Sequence, residues 1–212
     1  PDYSKEQRNK IILDKNQLQI VNSRTETGYR KIRGSAGSGK SLVLIERANK
    51  ILSEDENKKI LFINFNITLC QYLRDLCSRQ RGDPRKINFL HFHQWLKETF
   101  RVMGLMDERN KILSSYLEKG GDEAVEKYTP DLCKIILENP NTEIIEKYDA
   151  IFVDEGQDFE LLWWQCLRKS LKVNGEMYLA ADINQDIYNH SKYWTEESMK
   201  GAGLPASWLQ LK

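Results

Sequence analysis

Eight consecutive residues, Gly34-Ser35-Ala36-Gly37-Ser38-Gly39-Lys40-Ser41, constrain this chain more than any other stretch. Three closely spaced glycines let a backbone curl until successive amides converge on one point, where they attract an anion. Arg30 to Arg33 just before the run reads as a short strand, although an unusually charged one for the middle of a sheet. Leu42, Val43, Ile45, Ala48, Ile51 and Leu52 just after it recur at helical spacing. A complete G-x-x-x-x-G-K-[ST] pattern between strand and helix predicts a phosphate loop, in which the helix start adds unpaired N–H groups and the positive end of its dipole. In that geometry Lys40 supplies a cation for the β- and γ-phosphates and Ser41 a hydroxyl for Mg²⁺. The whole run from Gly34 to Ser41 is therefore expected to bind the nucleotide, against the alternative of a chance glycine-rich turn.

Short apolar runs alternate with longer helical patterns over most of the chain, which predicts an α/β fold with a parallel sheet flanked by helices. Strands are expected at residues 30–33, 60–65, 87–90, 150–153 and 177–181, the last being final. Helices are expected at 14–21, where Asp14 is a plausible cap, and at 41–52, 68–76, 93–102 and 161–171. Residues 104–147 break this rhythm with Gly120-Gly121, Pro130, Pro140 and many Glu and Lys side chains. They read as a small helical insertion with a solvated charged face. The expected organisation is one α/β domain from 1–103 and 148–212, with 1–10 as a linker and 104–147 as the insertion. Pro1 without a preceding methionine is what an excised domain would show.

Composition excludes several classes. Apolar residues make up 40% and charged residues 30% of 212, with 17 glycines and prolines together, which is no recipe for a disordered or collagen-like chain. The 32 basic and 31 acidic side chains balance to +1, so a nucleic-acid surface has to be local. Arg24, Arg30, Lys31 and Arg33 form one such cluster, with a solvated face as an equal alternative. No apolar run approaches a membrane span, and Pro1 to Lys10 is too polar for a secretory signal. Cys70, Cys77, Cys133 and Cys166 contain no C-x-x-C pair and do not combine with His91, His93 or His190 at zinc spacing. They read as reduced core thiols of a cytoplasmic protein.

Tyr148 to Val153 is an apolar strand that ends in Asp154-Glu155. In open parallel sheets ligands bind beyond the carboxyl ends of the strands. Asp154 is thereby expected beside the phosphate loop, holding Mg²⁺ together with Ser41. Glu155 is expected to face the γ-phosphate and to orient or deprotonate the attacking water. A solvated turn or a helix cap is the alternative for an isolated acidic pair.

Asp154-Glu155-Gly156-Gln157-Asp158 resembles the D-E-x-Q-D motif of superfamily-1 helicases of the UvrD/Rep type. Further segments match in order. Leu13 to Gln17 is similar to the family's glutamine motif, and Ile60 to Asn66 to its first single-strand-contacting segment. Phe89 to His93 is similar to its T-F-H segment, and Tyr178 to Tyr188 to its G-D-x-x-Q-x-I-Y motif. The resemblance implies a RecA-like P-loop NTPase domain that binds ATP and Mg²⁺. It also implies that Gln17 reads the adenine edge, that Gln185 senses the γ-phosphate during catalysis, and that Gln157 links the nucleotide site to that coupling. Phe65, Asn66, His93 and Tyr188 would lie along single-stranded nucleic acid, DNA being favoured over RNA by the family alone. The pattern departs from the family at His91, where Thr is usual, at Ala181, where Gly is usual, and at Asn64 and Asn66. In the family a second RecA-like domain follows the segment ending here at Lys212 and supplies arginines worth about 10³ to 10⁵ in rate. The resemblance therefore implies that this half alone is a poor ATPase and no helicase.

From the residues alone, Phe62, Phe92, Trp95 and Trp163 read as core. Phe65, Tyr188, Tyr193 and Trp194 divide evenly between core and base-stacking roles. Two functions of different class fit: a motor domain moving on single strands, or a P-loop switch or scaffold whose nucleotide state controls a protein partner. A small-molecule kinase is weaker, because it leaves Gln157, Asp158 and Gln185 unexplained together.

Overall fold

The computed structural model describes residues 10–65, 67–118, 124–182, 201–204 and 207–211. Its centre is a six-stranded parallel sheet with strand order β3-β2-β4-β5-β1-β6. The strands are β1 Tyr29–Arg33, β2 Ile60–Asn64, β3 Ile87–His91, β4 Tyr148–Val153, β5 Leu171–Ala181 and β6 Leu209–Gln210. The helices are α1 Lys15–Asn22, α2 Lys40–Glu54, α3 Ile67–Arg79, α4 Phe92–Val102, α5 Met106–Leu117, α6 Ala124–Glu138 and α7 Leu161–Arg168. This is the P-loop NTPase, RecA-like α/β arrangement that the sequence predicts.

Alternate residues of a strand face opposite layers, so the central strands β2, β4 and β5 feed two cores. Ile32, Phe62, Phe152, Tyr178 and Ala180 pack with Leu44, Ile45 and Leu73 under α2 and α3. Leu61, Ile63, Ile151, Val153 and Leu179 pack on the other face with Phe92, Trp163 and Leu167 from α4 and α7. Phe62 lies between Phe89 and Phe152, with ring centroids 5.5 and 5.7 Å away. Phe62, Phe92, Trp95 and Trp163 are core, as the sequence predicts.

The charged strand β1 is buried because its charges are partnered. Arg30 donates to Ile20 O at 2.9 Å and to Ser23 Oγ at 3.1 Å, and Lys31 lies over the Trp208 ring. Arg24 donates to Asn174 O and sits 3.5 Å from Glu176. The expected basic surface at residues 24–33 is thus corrected: Arg30 and Lys31 are interior. Beside them Arg47 on α2 grips Glu176 on β5, with Nη2 2.6 Å from Oε1 and Nε 3.0 Å from Oε2, and it also donates to Val21 O. This buried pair binds α1, α2 and β5 together.

Three boundaries differ from expectation. The helix at 161–171 stops at Arg168, and Leu171 already begins β5. That strand runs far upstream of Met177, through Asn174, which adopts a left-handed conformation, and it is followed by a sixth strand. Pro130 lies inside α6, and Leu132, Cys133 and Ile136 of that helix enter the core beside α7, so the 104–147 segment is not solvated throughout. All four cysteines are buried and free.

Candidate nucleotide site

β5 lies between β1 and β4, so the ends of β1 and β4 are two strand spacings apart, roughly 10 Å. The loop leaving β1 and the start of α2 cross that gap. Gly39 caps α2 in a left-handed conformation (φ 86°), and no side chain closes the first-turn amides. Gly37 is left-handed as well, at φ 80°. A Cβ at Gly39 would sit 2.6 Å from Gln17 Nε2, and one at Gly34 would sit 2.3 Å from Ser38 Oγ. At Gly39 the left-handed backbone itself favours glycine, and at Gly34 a Cβ would crowd the Ser38 side chain and Leu211 O. Ser35, Ala36 and Gly37 form its exposed crest, while Ser38 is buried and its Oγ has no hydrogen-bond partner among the described residues.

Lys40 is buried at the loop's base. Its Nζ donates to Gly34 O at 2.8 Å and to Ser35 O at 3.1 Å, and it lies 3.9 Å from Asp182 Oδ2. Ser41 Oγ donates to Asp154 Oδ2 at 2.6 Å. Asp154 is fully buried, and burial raises its pKa to about 6 although the Ser41 hydrogen bond works against the rise. Glu155 follows with φ 52° and ψ 44°, a left-handed conformation that a non-glycine residue holds only under constraint. Its backbone N–H donates to Asp154 Oδ1 at 3.0 Å. Gln157 donates from Nε2 to Glu155 Oε2 at 2.6 Å and accepts from the Asp182 N–H at 3.0 Å.

Gln17 arrives from the other side on α1. Asp14 and Gln17 form a reciprocal capping box, and Gln17 Nε2 also donates to Ser38 O at 3.2 Å. Gln17, Lys40, Ser41, Glu155 and Asp182 all line one cleft of roughly 400 Å³. The arrangement offers convergent amides and one ammonium to an anion, a hydroxyl–carboxylate pair to a hard cation, and a second carboxylate to a proton.

A family model described as an AAA domain matches residues 17–191. The chain belongs to that family. The match covers the phosphate loop, the acidic strand end and the glutamine bridge of this AAA domain. No curated protein sequence matches it. Among solved structures it is similar to the crystal structure of Pif1 helicase from Candida albicans, at 14% identity and a TM-score of 0.49, over 95% of this chain. The AAA domain spans about 40% of the length of that helicase chain.

At the ends of β2 and β3 a second group gathers. Phe65 stacks on Trp163 at 5.8 Å with an interplanar angle of 13°, and the His93 ring meets Phe65 at 5.9 Å. His93 Nε2 lies 3.2 Å from Thr129 Oγ1, and burial pushes its pKa down to about 4. Phe65 is thus half-buried, with a tryptophan already on one face. His91, where the resembled family has threonine, caps α4 by accepting from the Gln94 N–H at 3.4 Å. Asn66, Gln185, Tyr188, His190, Tyr193 and Trp194 lie outside the described residues. Asp182 is the site residue that the sequence reading passed over. It stood in a matched motif, but only the pairing of β5 with β1 brings it to Lys40. No described helix is long and apolar enough to cross a membrane.

Proposed function

We propose that this chain is the ATP-binding RecA-like domain of a superfamily-1 helicase or translocase of the UvrD/Rep type. The motor would be cytoplasmic and would couple ATP hydrolysis to movement on single-stranded DNA together with a second RecA-like domain. The hydrogen bond between Ser41 and Asp154 carries the reading. It joins the helix behind the phosphate loop to the acidic strand end at 2.6 Å. The family match, and the motifs found in order from Gln17 to Tyr188, support the helicase assignment.

The residues present fit ATP and Mg²⁺. The loop is closed by glycines whose Cβ atoms would collide with Ser38 and Gln17, and the Ser41 and Asp154 oxygens form a hard donor pair. Mg²⁺, when bound there, would neutralise charge on the phosphates. Lys40 holds the β- and γ-phosphates, exchanging the loop carbonyls for phosphate oxygens. Glu155 accepts a proton from the attacking water at the Oε atom that Gln157 leaves free. Gln157 keeps that carboxylate in place and ties it to the end of β5. Gln185 would sense the γ-phosphate. Phe65, Asn66, His93 and Tyr188 would face the nucleic acid, and residues 104–147 would act as the accessory helical insertion.

The test is ATP turnover by the protein that carries this domain, with and without single-stranded oligonucleotides. The motor reading expects stimulation by the oligonucleotide and loss of turnover in Lys40→Ala. Tight ATP binding without any stimulation would instead favour a nucleotide-gated switch.

A further inference from the structure

A second groove, of roughly 620 Å³, is walled off from the nucleotide cleft by segment 10–13. Ile11 and Ile12 line both, whereas none of residues 34–41, Gln17, Asp154, Glu155 or Asp182 lines the second groove. Its long walls are two helix faces. Leu18, Val21 and Asn22 stand three and four residues apart on α1, and Glu46, Asn49, Lys50 and Ser53 repeat that spacing on α2. Gln80 and Arg81, just past α3, also line it.

The groove combines apolar surface with spare donors. Leu13 and Val21 pack with the core, while Ile11 and Leu18 keep 37% and 43% of their surface exposed. Asn49 accepts at Oδ1 from the Cys77 thiol, and its Nδ2 is buried with no hydrogen-bond partner among the described residues. A buried donor in that state is destabilising, and an incoming carbonyl or carboxylate oxygen relieves it. Asn22 accepts at Oδ1 from Lys50 at 2.7 Å, which leaves its own amide hydrogens to donate elsewhere. Of the charged groups that line the groove, Lys10, Lys50 and Arg81 are cationic and Glu46 is anionic. Glu46 is taken by Lys10 at 3.3 Å. Lys50 lies 3.9 Å from Glu54, which does not line the groove, and Arg81 is exposed. The groove therefore pairs an apolar strip with a surplus of positive charge.

We propose that this groove docks an acidic, apolar peptide segment of a protein partner. Apolar side chains of the peptide cover Leu18 and Ile11, a peptide oxygen accepts from Asn49 Nδ2, and carboxylates meet Lys50 and Arg81. These groups are strung along two helices rather than aimed at one point, which suits a chain segment rather than a small ligand. The proposal does not depend on residues 34–41 binding a nucleotide.

Selection of a phage-displayed random peptide library on the 212-residue chain, followed by fluorescence anisotropy of the enriched peptides, tests it. Enriched peptides are expected to combine Asp or Glu with Leu, Ile or Phe, and to stay bound in saturating ATP and Mg²⁺. Leu18→Asp is expected to weaken them by at least about ten-fold, the loss of one interface anchor. The double variant Lys50→Gln with Arg81→Gln should weaken the acidic peptide by a similar factor. It should bind the same peptide, with amides in place of acids, as wild type does. A thermal melt confirms that each variant is folded; should Leu18→Asp unfold, the double variant decides. No enrichment, enrichment of basic peptides, displacement by ATP, or undiminished binding in the folded variants each overturns the proposal. A dimer that Leu18→Asp dissolves, seen by sedimentation, gives the groove to a second copy of the chain and overturns it as well.

Discussion

Ser41 and Asp154, 113 residues apart in the chain, share a 2.6 Å hydrogen bond across the end of β5. The hydroxyl sits one residue into α2 and the carboxylate one residue beyond β4, so the bond reports the alignment of both elements. It is also made inside the protein, and Asp154 bears the consequence of that burial.

Asp154→Asn should therefore separate stability from function. Burial raises the Asp154 pKa from 3.8 to about 6. A raised folded-state pKa means stability that is full below the ordinary value and lost as pH rises through about 6. Asparagine keeps the shape and cannot ionise. The variant should unfold at higher urea than wild type at pH 7.5, by about 1–3 kcal/mol, and the gain should vanish near pH 4. Its Mg²⁺-dependent ATP affinity should fall at least about ten-fold. Urea midpoints at the two pH values, and ATP titrations with and without Mg²⁺, check both halves.

Glu155→Gln is expected to preserve ATP binding and to reduce turnover by roughly 10²- to 10⁴-fold, the range for removing a general base. The left-handed backbone at Glu155 and the bond from Gln157 can both persist with the amide. Single-turnover hydrolysis beside an equilibrium ATP titration makes the comparison. A parallel loss of binding would make Glu155 a structural residue.

Arg47→Leu removes the bidentate partner of a buried carboxylate and leaves Glu176 with only the half-exposed Arg24 at 3.5 Å and the Tyr178 hydroxyl. The cost should be about 3–5 kcal/mol, and the double variant with Glu176→Leu should recover part of it. Denaturant unfolding of the two singles and the double gives the coupling directly.

His93 governs an opposite pH response. Burial lowers its pKa from 6.5 to about 4, with His91 adding to the effect. A depressed folded-state pKa means stability that is full above the ordinary value and lost as pH falls from about 6.5 towards 4. Asp154 gains stability over much of the same window, so the absolute profile mixes the two. The difference between wild type and His93→Gln isolates the histidine: it should shrink as pH falls from 7 to 5, measured by urea midpoint.

Much of the site could be read from contiguous residues. Gly34 to Ser41 and Asp154-Glu155 each carry their chemistry in one short run, and the strand before each fixes where it emerges. Asp182 was legible only in part: it stood inside a matched motif, but its place beside Lys40 comes from the pairing of β5 with β1. The fold divides similarly. β2 and β4 are apolar runs buried on both faces, whereas the start of β5, Leu171-Lys172-Val173-Asn174-Gly175-Glu176, has the composition of a turn. Its Glu176 is a strand residue because Arg47 neutralises it. β6 pairs through only two residues, too few for any periodicity. Pro130 is tolerated because the helix around it is held by Leu132, Cys133 and Ile136 in the core, which outweighs the local propensity.

The Gln157 carboxamide has a mechanical corollary. One end holds the Glu155 carboxylate and the other holds the main chain at Asp182, whose own side chain stands 3.9 Å from the Lys40 ammonium. Rearranging either charge must tug on the same peptide group. One carboxamide thus joins the acidic end of β4 to Asp182, the residue just after β5.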